Sequence, residues 1–128
     1  MIVVDTSALM AIVLNKPKAN ACTAILATVD RVLISAGTLA EVSIIAARRH
    51  AREELARLIG GLGPEIVSVT DASARRVAIA YGKWGKGVHP ASLNLGDCFA
   101  YELANTEGCA LLFVGDDFFR TDINAALV

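Results

Sequence analysis

Ile2-Val3-Val4-Asp5-Thr6-Ser7-Ala8-Leu9 runs through three consecutive apolar residues and then turns polar in a single step. An unbroken β-branched run with no polar alternation describes a strand buried on both faces, the habit of a parallel sheet. The Asp-Thr-Ser string that follows supplies caps for a helix over residues 8–14. A buried strand that hands directly to a helix is the unit from which α/β folds are built.

The same unit recurs along the chain. After the break at Asn15-Lys16-Pro17, a helix is expected over 18–28 with Ala21, Ile25 and Leu26 inward. Val32-Leu33-Ile34-Ser35 forms the next strand, and Gly37-Thr38 starts a long helix in which Leu39, Val42, Ile45 and Ala46 share one face. That helix passes through Arg48, Arg49, His50 and Arg52, continues over 53–59, and stops at Gly60-Gly61-Leu62-Gly63-Pro64. A third strand is placed at 66–69, a helix capped by Thr70 or Asp71 at 72–81, a helix begun by Asn94 or Gly96 at 97–106, and a last strand at 111–114. Alternating strands and helices predict a parallel sheet covered on both faces. No linker or repeat interrupts the pattern, so one domain is expected over residues 1–128.

Composition narrows the function. Net charge is -1, from 12 basic and 13 acidic residues, which excludes binding driven by bulk positive charge and leaves room for a local basic patch. Aromatics make up only 5%, so stacking platforms cannot dominate contact with single strands. Hydrophobic residues reach 55%, an excess that suits surface hidden in a partner or a dimer. Cys22, Cys98 and Cys109 match neither a zinc site nor a disulfide framework. The chain opens on a strand with no secretory leader pattern, and no apolar run spans a bilayer, so a cytoplasmic protein is expected, with no membrane partner.

Against that apolar background, acids stand at the edges of the segments that want burial. Asp5 ends the first strand, Glu41 falls between Leu39 and Val42, Asp97 opens the helix at 97–106, and Asp116, with Asp117 beside it, follows Leu111-Leu112-Phe113-Val114-Gly115. Taken singly, each has an ordinary explanation. Asp5 caps a helix, Asp97 complements a helix dipole, and Asp116 and Asp117 sit in a turn. Glu41 is the hardest to place, because an unpaired carboxylate near an inward face is costly. Parallel α/β folds gather functional groups at strand carboxyl ends, and four acids brought together there suit a hard divalent cation such as Mg²⁺ or Mn²⁺. Thr6, Ser7 and Thr121 offer hydroxyls that orient carboxylates or water.

The ordered set resembles the PIN-domain family, specifically the VapC-type toxins of bacterial toxin–antitoxin pairs. Val4-Asp5-Thr6-Ser7-Ala8-Leu9, Leu39-Ala40-Glu41-Val42, Leu93-Asn94-Leu95-Gly96-Asp97-Cys98-Phe99-Ala100-Tyr101, and Leu112-Phe113-Val114-Gly115-Asp116-Asp117-Phe118 with Thr121-Asp122-Ile123 resemble its motifs in order. The resemblance implies a three-layer α/β/α PIN-like fold and a Mg²⁺- or Mn²⁺-dependent endoribonuclease that hydrolyses RNA phosphodiesters with metal-activated water. It also implies a homodimer neutralised by a cognate VapB-type antitoxin that docks near residues 8–14 and 37–52. By position it makes Asp5, Glu41, Asp97 and Asp116 catalytic, with Asp5, Asp97 and Asp116 as metal ligands. Asp117 then bonds locally, although its adjacency keeps it in competition with Asp116.

Clustered carboxylates repel RNA phosphates, so binding falls to basic groups at the rim. Lys83, Lys86 and His89, in the glycine-rich stretch around Trp84, are the candidates, and Trp84 reads as a core or interface anchor. An inactive PIN module that only binds RNA or a protein partner is the alternative. A haloacid-dehalogenase-type phosphatase needs a second acid two residues after Asp5, where Ser7 stands. A receiver domain needs paired acids at the first strand, and these are lacking.

Overall fold

The structure, a computed structural model, describes residues 1–127. Its elements are β1 (Ile2–Val4), α1 (Thr6–Val13), α2 (Ala19–Thr28), β2 (Val32–Ser35), α3 (Ala36–Arg48), α4 (Arg52–Leu62), β3 (Glu65–Val67), α5 (Asp71–Trp84), α6 (Leu95–Glu107) and β4 (Ala110–Leu112). A 3-10 turn, Asp117–Arg120, follows. The sheet order is β3-β2-β1-β4, and every pairing is parallel. The fold is therefore the α/β/α arrangement that the opening residues predict.

The sheet's two faces carry separate cores. Val3, Leu33 and Leu111 point to one side and pack with Val77 and Ala80 of α5 and with Cys98, Ala100, Leu103 and Ala104 of α6. Ile2, Val4, Ile34 and Leu112 point to the other and pack with Leu9 of α1, Cys22 of α2, Val42 and Ala46 of α3, and Leu55 of α4. One-residue alternation along β1 thus serves two apolar layers, which is why that strand shows no polar position. The cysteines are free, with Cys22 and Cys98 buried.

Three local expectations are corrected. The long helix is two helices, because His50 takes a left-handed conformation at φ 55° and Ala51 N–H turns back to Ala46 O at 2.8 Å. The fold-back buries Leu55 and leaves a groove between α3 and α4. The second half of that pair does not stop at Gly60. It runs through both glycines to Leu62 and ends on Gly63 at φ 59°. The last strand ends at Leu112 rather than 114, since Val114 N–H leaves the sheet to bond the Ser7 hydroxyl at 3.0 Å.

Candidate active site

Asp5 stands at the carboxyl end of β1, an interior strand, and is 2% exposed. Its two oxygens have different tasks. Oδ2 caps α1, accepting from Ser7 N–H at 3.0 Å and from the Ser7 hydroxyl at 2.6 Å. Oδ1 is buried with no partner among the described residues. Burial pushes the carboxyl up to about 7, against the pull of the Ser7 bonds, and the charges of Asp97 and Glu41 push the same way.

Asp97 comes from the first turn of α6. It forms a reciprocal cap with Asn94: Asp97 N–H donates to Asn94 Oδ1 at 2.8 Å, and Asn94 N–H donates to Asp97 Oδ2 at 3.0 Å. Its carboxyl is raised by partial burial and by Glu41 and Asp117, with the Asn94 N–H opposing. Glu41, from α3, accepts from the Thr6 hydroxyl at 2.6 Å. Its carboxylate lies directly over Gly96, where a methyl group would collide with it. Gly37 plays the same part in reverse, since a methyl there would strike the Phe99 ring. Glycine at these two positions lets α3 and α6 approach closely enough for Glu41 to reach the cluster.

The tandem acids after β4 diverge. Asp117 acts on the Asp97 charge. Asp116 lines a separate cavity with Lys18, Phe113 and Phe119. Gly115, at φ 108°, turns the chain at this point. Asp5 thus feels the charges of Asp97 and Glu41, Asp97 feels those of Glu41 and Asp117, and Asp116 lines the cavity beside Lys18. Among the described residues no three His, Cys, Asp or Glu side chains stand together so as to hold a metal ion. The donor set nevertheless fits a hard cation, because Asp5 presents a buried oxygen without a hydrogen-bond partner beside two further carboxylates.

The hydroxyls sort themselves. Thr6 holds Glu41, and Ser7 ties Asp5 to Val114. Thr121 bonds no acid; its hydroxyl donates to Phe118 O at 2.7 Å and accepts from Ile123 N–H at 3.2 Å. Lys83 and Trp84 belong to α5 rather than to a loop, and the Lys83 ammonium lies 4.9 Å from the Trp84 ring centre. Trp84 packs against the α5–α6 core and the His89 ring, 4.7 Å away, while His89 Nδ1 accepts from Ala91 N–H at 3.0 Å. Lys86 is exposed on the adjoining loop. No hydrogen bond or ion pair joins Lys83, Lys86 or His89 to the acids among the described residues.

Sequence reasoning passed over Arg120, whose guanidinium donates to Pro90 O at 3.3 Å and so pins that loop to the turn bearing Asp117. Asn94, one of the two expected starts of α6, is its cap; what was passed over is the return bond from Asn94 N–H to Asp97, and the bond from the Tyr101 hydroxyl to Asp122 at 2.6 Å. The Asn94-to-Asp97 spacing was the available signal for that return bond.

A parallel sheet with a buried acid ending an interior strand, and further acids supplied by helix starts beside it, defines an α/β domain that works at the carboxyl edge of its sheet. The comparisons make the class particular. The chain belongs to the PIN-domain family, whose profile matches residues 2–124. It is 41% identical over 129 aligned positions to Ribonuclease VapC42 of Mycobacterium tuberculosis, covering 97% of this chain and 98% of that one. It is 39% identical to Ribonuclease VapC36 of the same organism, covering 94% of this chain and 90% of that one. In fold it is similar to the crystal structure of VapC20, the M. tuberculosis Sarcin-Ricin loop cleaving toxin, with TM-score 0.78 and 16% identity over 96% of each chain. A toxin-antitoxin complex from Klebsiella pneumoniae matches with TM-score 0.68 and 21% identity, over 92% of this chain and 90% of that one.

Proposed function

We infer that this protein is the toxin of a type II toxin–antitoxin pair, an endoribonuclease that hydrolyses RNA phosphodiesters and leaves 5′-phosphate and 3′-hydroxyl ends. The observation that carries the reading is Asp5, a buried carboxylate with one oxygen spent on a helix cap and the other unpartnered beside Asp97 and Glu41. A buried charge among like charges is retained at a cost in stability, and binding a cation at a working site is a sufficient reason for keeping it. Full-length relatives named as VapC ribonucleases support the substrate class.

Each acid has its own support. Ser7 fixes the Asp5 rotamer, Thr6 fixes Glu41, and Asn94 fixes Asp97. The fourth acid we assign to Asp117, because its charge reaches Asp97 whereas Asp116 faces another cavity. Asp5 Oδ1 and Asp97 would hold Mg²⁺ or Mn²⁺, which would neutralise the acids against the RNA phosphate and lower the pKa of water. Glu41 is placed to accept a proton or orient water from the α3 side. Arg120 and Lys86, both exposed on segments joined through Pro90, give the rim positive charge for the RNA backbone. Lys83, in the last turn of α5, and His89, on the segment after it, contribute beside them.

The cognate antitoxin is assigned to the groove between α3 and α4. This cavity, of about 700 Å³, is walled by Leu39, Ile44, Ala47, Leu55 and Ile59, with Arg52 at its edge. It suits the apolar face of a helix. A homodimer is the proposed assembly. No helix among the described residues is long and apolar enough to cross a membrane, and we place the protein in the cytoplasm, where its RNA substrate lies.

Induced expression followed by sequencing of RNA 5′ ends tests the activity. New 5′-phosphate ends are expected with the natural chain and not with Asp97→Asn or Asp5→Asn. Undiminished cleavage by both variants would refute the site.

A further inference from the structure

The divergence of Asp116 from Asp117 leaves one carboxylate unexplained, and its surroundings give it a task. Asp116 lines a cavity of about 180 Å³ together with Lys18, Phe113, Gly115 and Phe119. This cavity adjoins the acidic cluster through the backbone, since Val114, in its wall, donates to the Ser7 hydroxyl that holds Asp5. Phe119 is 52% exposed, yet its ring is braced edge-on against buried Phe113, with ring centres 4.9 Å apart. An aromatic ring held at a fixed angle with its other side in water is a stacking surface for a flat ligand. Lys18 and Asp116 both line the cavity, and no ion pair joins the two. Gly115, at φ 108° and with open space where a side chain would project, leaves the floor clear for close approach.

We propose that this cavity reads one unstacked guanine of the RNA next to the cut phosphodiester, an inference that rests on the ribonuclease reading above. A carboxylate only accepts hydrogen bonds, and it accepts two side by side. Guanine alone among the RNA bases presents two adjacent donors, N1–H and the N2 amino group, with the O6 acceptor next to them. Asp116 takes the donor pair, Lys18 takes O6, and Phe119 covers the ring face. Sequence-specific recognition of RNA uses this combination of splayed base, aromatic stacking and edge contacts. Adenine offers a single amino donor beside an acceptor, and that acceptor would meet the carboxylate. Uracil and cytosine each leave one carboxylate oxygen unsatisfied.

The test is titration of the full-length protein with each of the four nucleoside 5′-monophosphates in EDTA, followed by amide NMR. Metal removal separates base recognition from the acidic site. Shifts at Lys18, Gly115 and Phe119, saturating at lower concentration with GMP than with AMP, CMP or UMP, are expected. Asp116→Asn should weaken GMP about tenfold or more and leave UMP within twofold. Equal responses to all four nucleotides, or shifts that spare these residues, would overturn the proposal. The same residues shifting with protein concentration alone would overturn it in favour of a protein contact at Phe119. Cleavage mapping separates the two levels of inference. Selective GMP binding by a protein that cuts no RNA with Mn²⁺ refutes the nuclease reading. Cleavage without guanine beside the cut, at sites unchanged by Asp116→Asn, refutes the base pocket.

Discussion

Asp5→Asn should stabilise the protein, and by an amount that depends on pH in a defined way. The carboxyl is held at about 7 in the folded chain against an ordinary 3.8. Between those values the folded state binds more protons than the unfolded one, so stability falls as pH rises. Each pH unit in that window costs about 1.4 kcal/mol. The full penalty above pH 7 is therefore about 4 kcal/mol, carried by a group 2% exposed and thus little screened by solvent. Asparagine keeps the acceptor that Ser7 uses and mimics the neutral acid. The variant should match the natural chain near pH 4 and exceed it progressively up to pH 7. At pH 8 its thermal midpoint should be higher by on the order of 10 °C. Thermal denaturation followed by circular dichroism in EDTA, at intervals from pH 4 to 8, gives the comparison. Mn²⁺ supplies the second arm: at about one hundred times its dissociation constant it should return about 2.7 kcal/mol to the natural chain and little to Asp5→Asn. Parallel midpoints across the pH range, or an asparagine variant less stable at pH 8, would refute the view that Asp5 is a charge kept at the expense of the fold.

Gly96→Ala introduces a methyl group where the Glu41 carboxylate lies. It should lower RNA cleavage tenfold or more by displacing Glu41, although no acid is altered, and change stability by less than about 1 kcal/mol, because only the flexible end of Glu41 must move aside. Paired measurement of cleavage rate and urea midpoint checks both. Ser7→Ala removes the hydroxyl bridging Asp5 and Val114. Urea unfolding should show a loss of about 1–3 kcal/mol at pH 8, because Val114 N–H loses its partner. The loss should shrink at pH 4, where Asp5 is neutral and its bond to Ser7 weaker.

Much of the fold was legible because the local signals agreed. Ile2-Val3-Val4 followed by Asp-Thr-Ser described β1, its two-faced burial and the α1 cap. What stayed hidden was decided by tertiary geometry. Nothing around His50 marks a break by glycine or proline; the chain turns there because α4 must fold back to bury Leu55. Lys83 and Trp84 read as loop beside two glycines, yet packing of Trp84 against the α5–α6 core extends the helix over them. The acids show the same division. Cap and site looked like rival explanations for Asp5 and Asp97, and the geometry allows both, because a carboxylate has two oxygens and a cap needs only one. Asp116 and Asp117 could not be separated by inspection, since adjacent acids look alike in sequence and only the folded chain shows Asp117 acting on Asp97 and Asp116 lining the cavity beside Lys18.

The Ser7–Val114 bond joins positions 107 residues apart. The strand that Asp5 ends lies between β2 and β4, and β4 is the last of the four sheet strands to leave the ribosome. Until that strand docks, Asp5 has no wall on one side, and the turn bearing Asp117 does not exist. A partly synthesised chain therefore holds its acids apart in water. For an enzyme that cuts RNA, this order of assembly keeps the nascent polypeptide harmless to the translation machinery making it until β4 and the turn after it have been made.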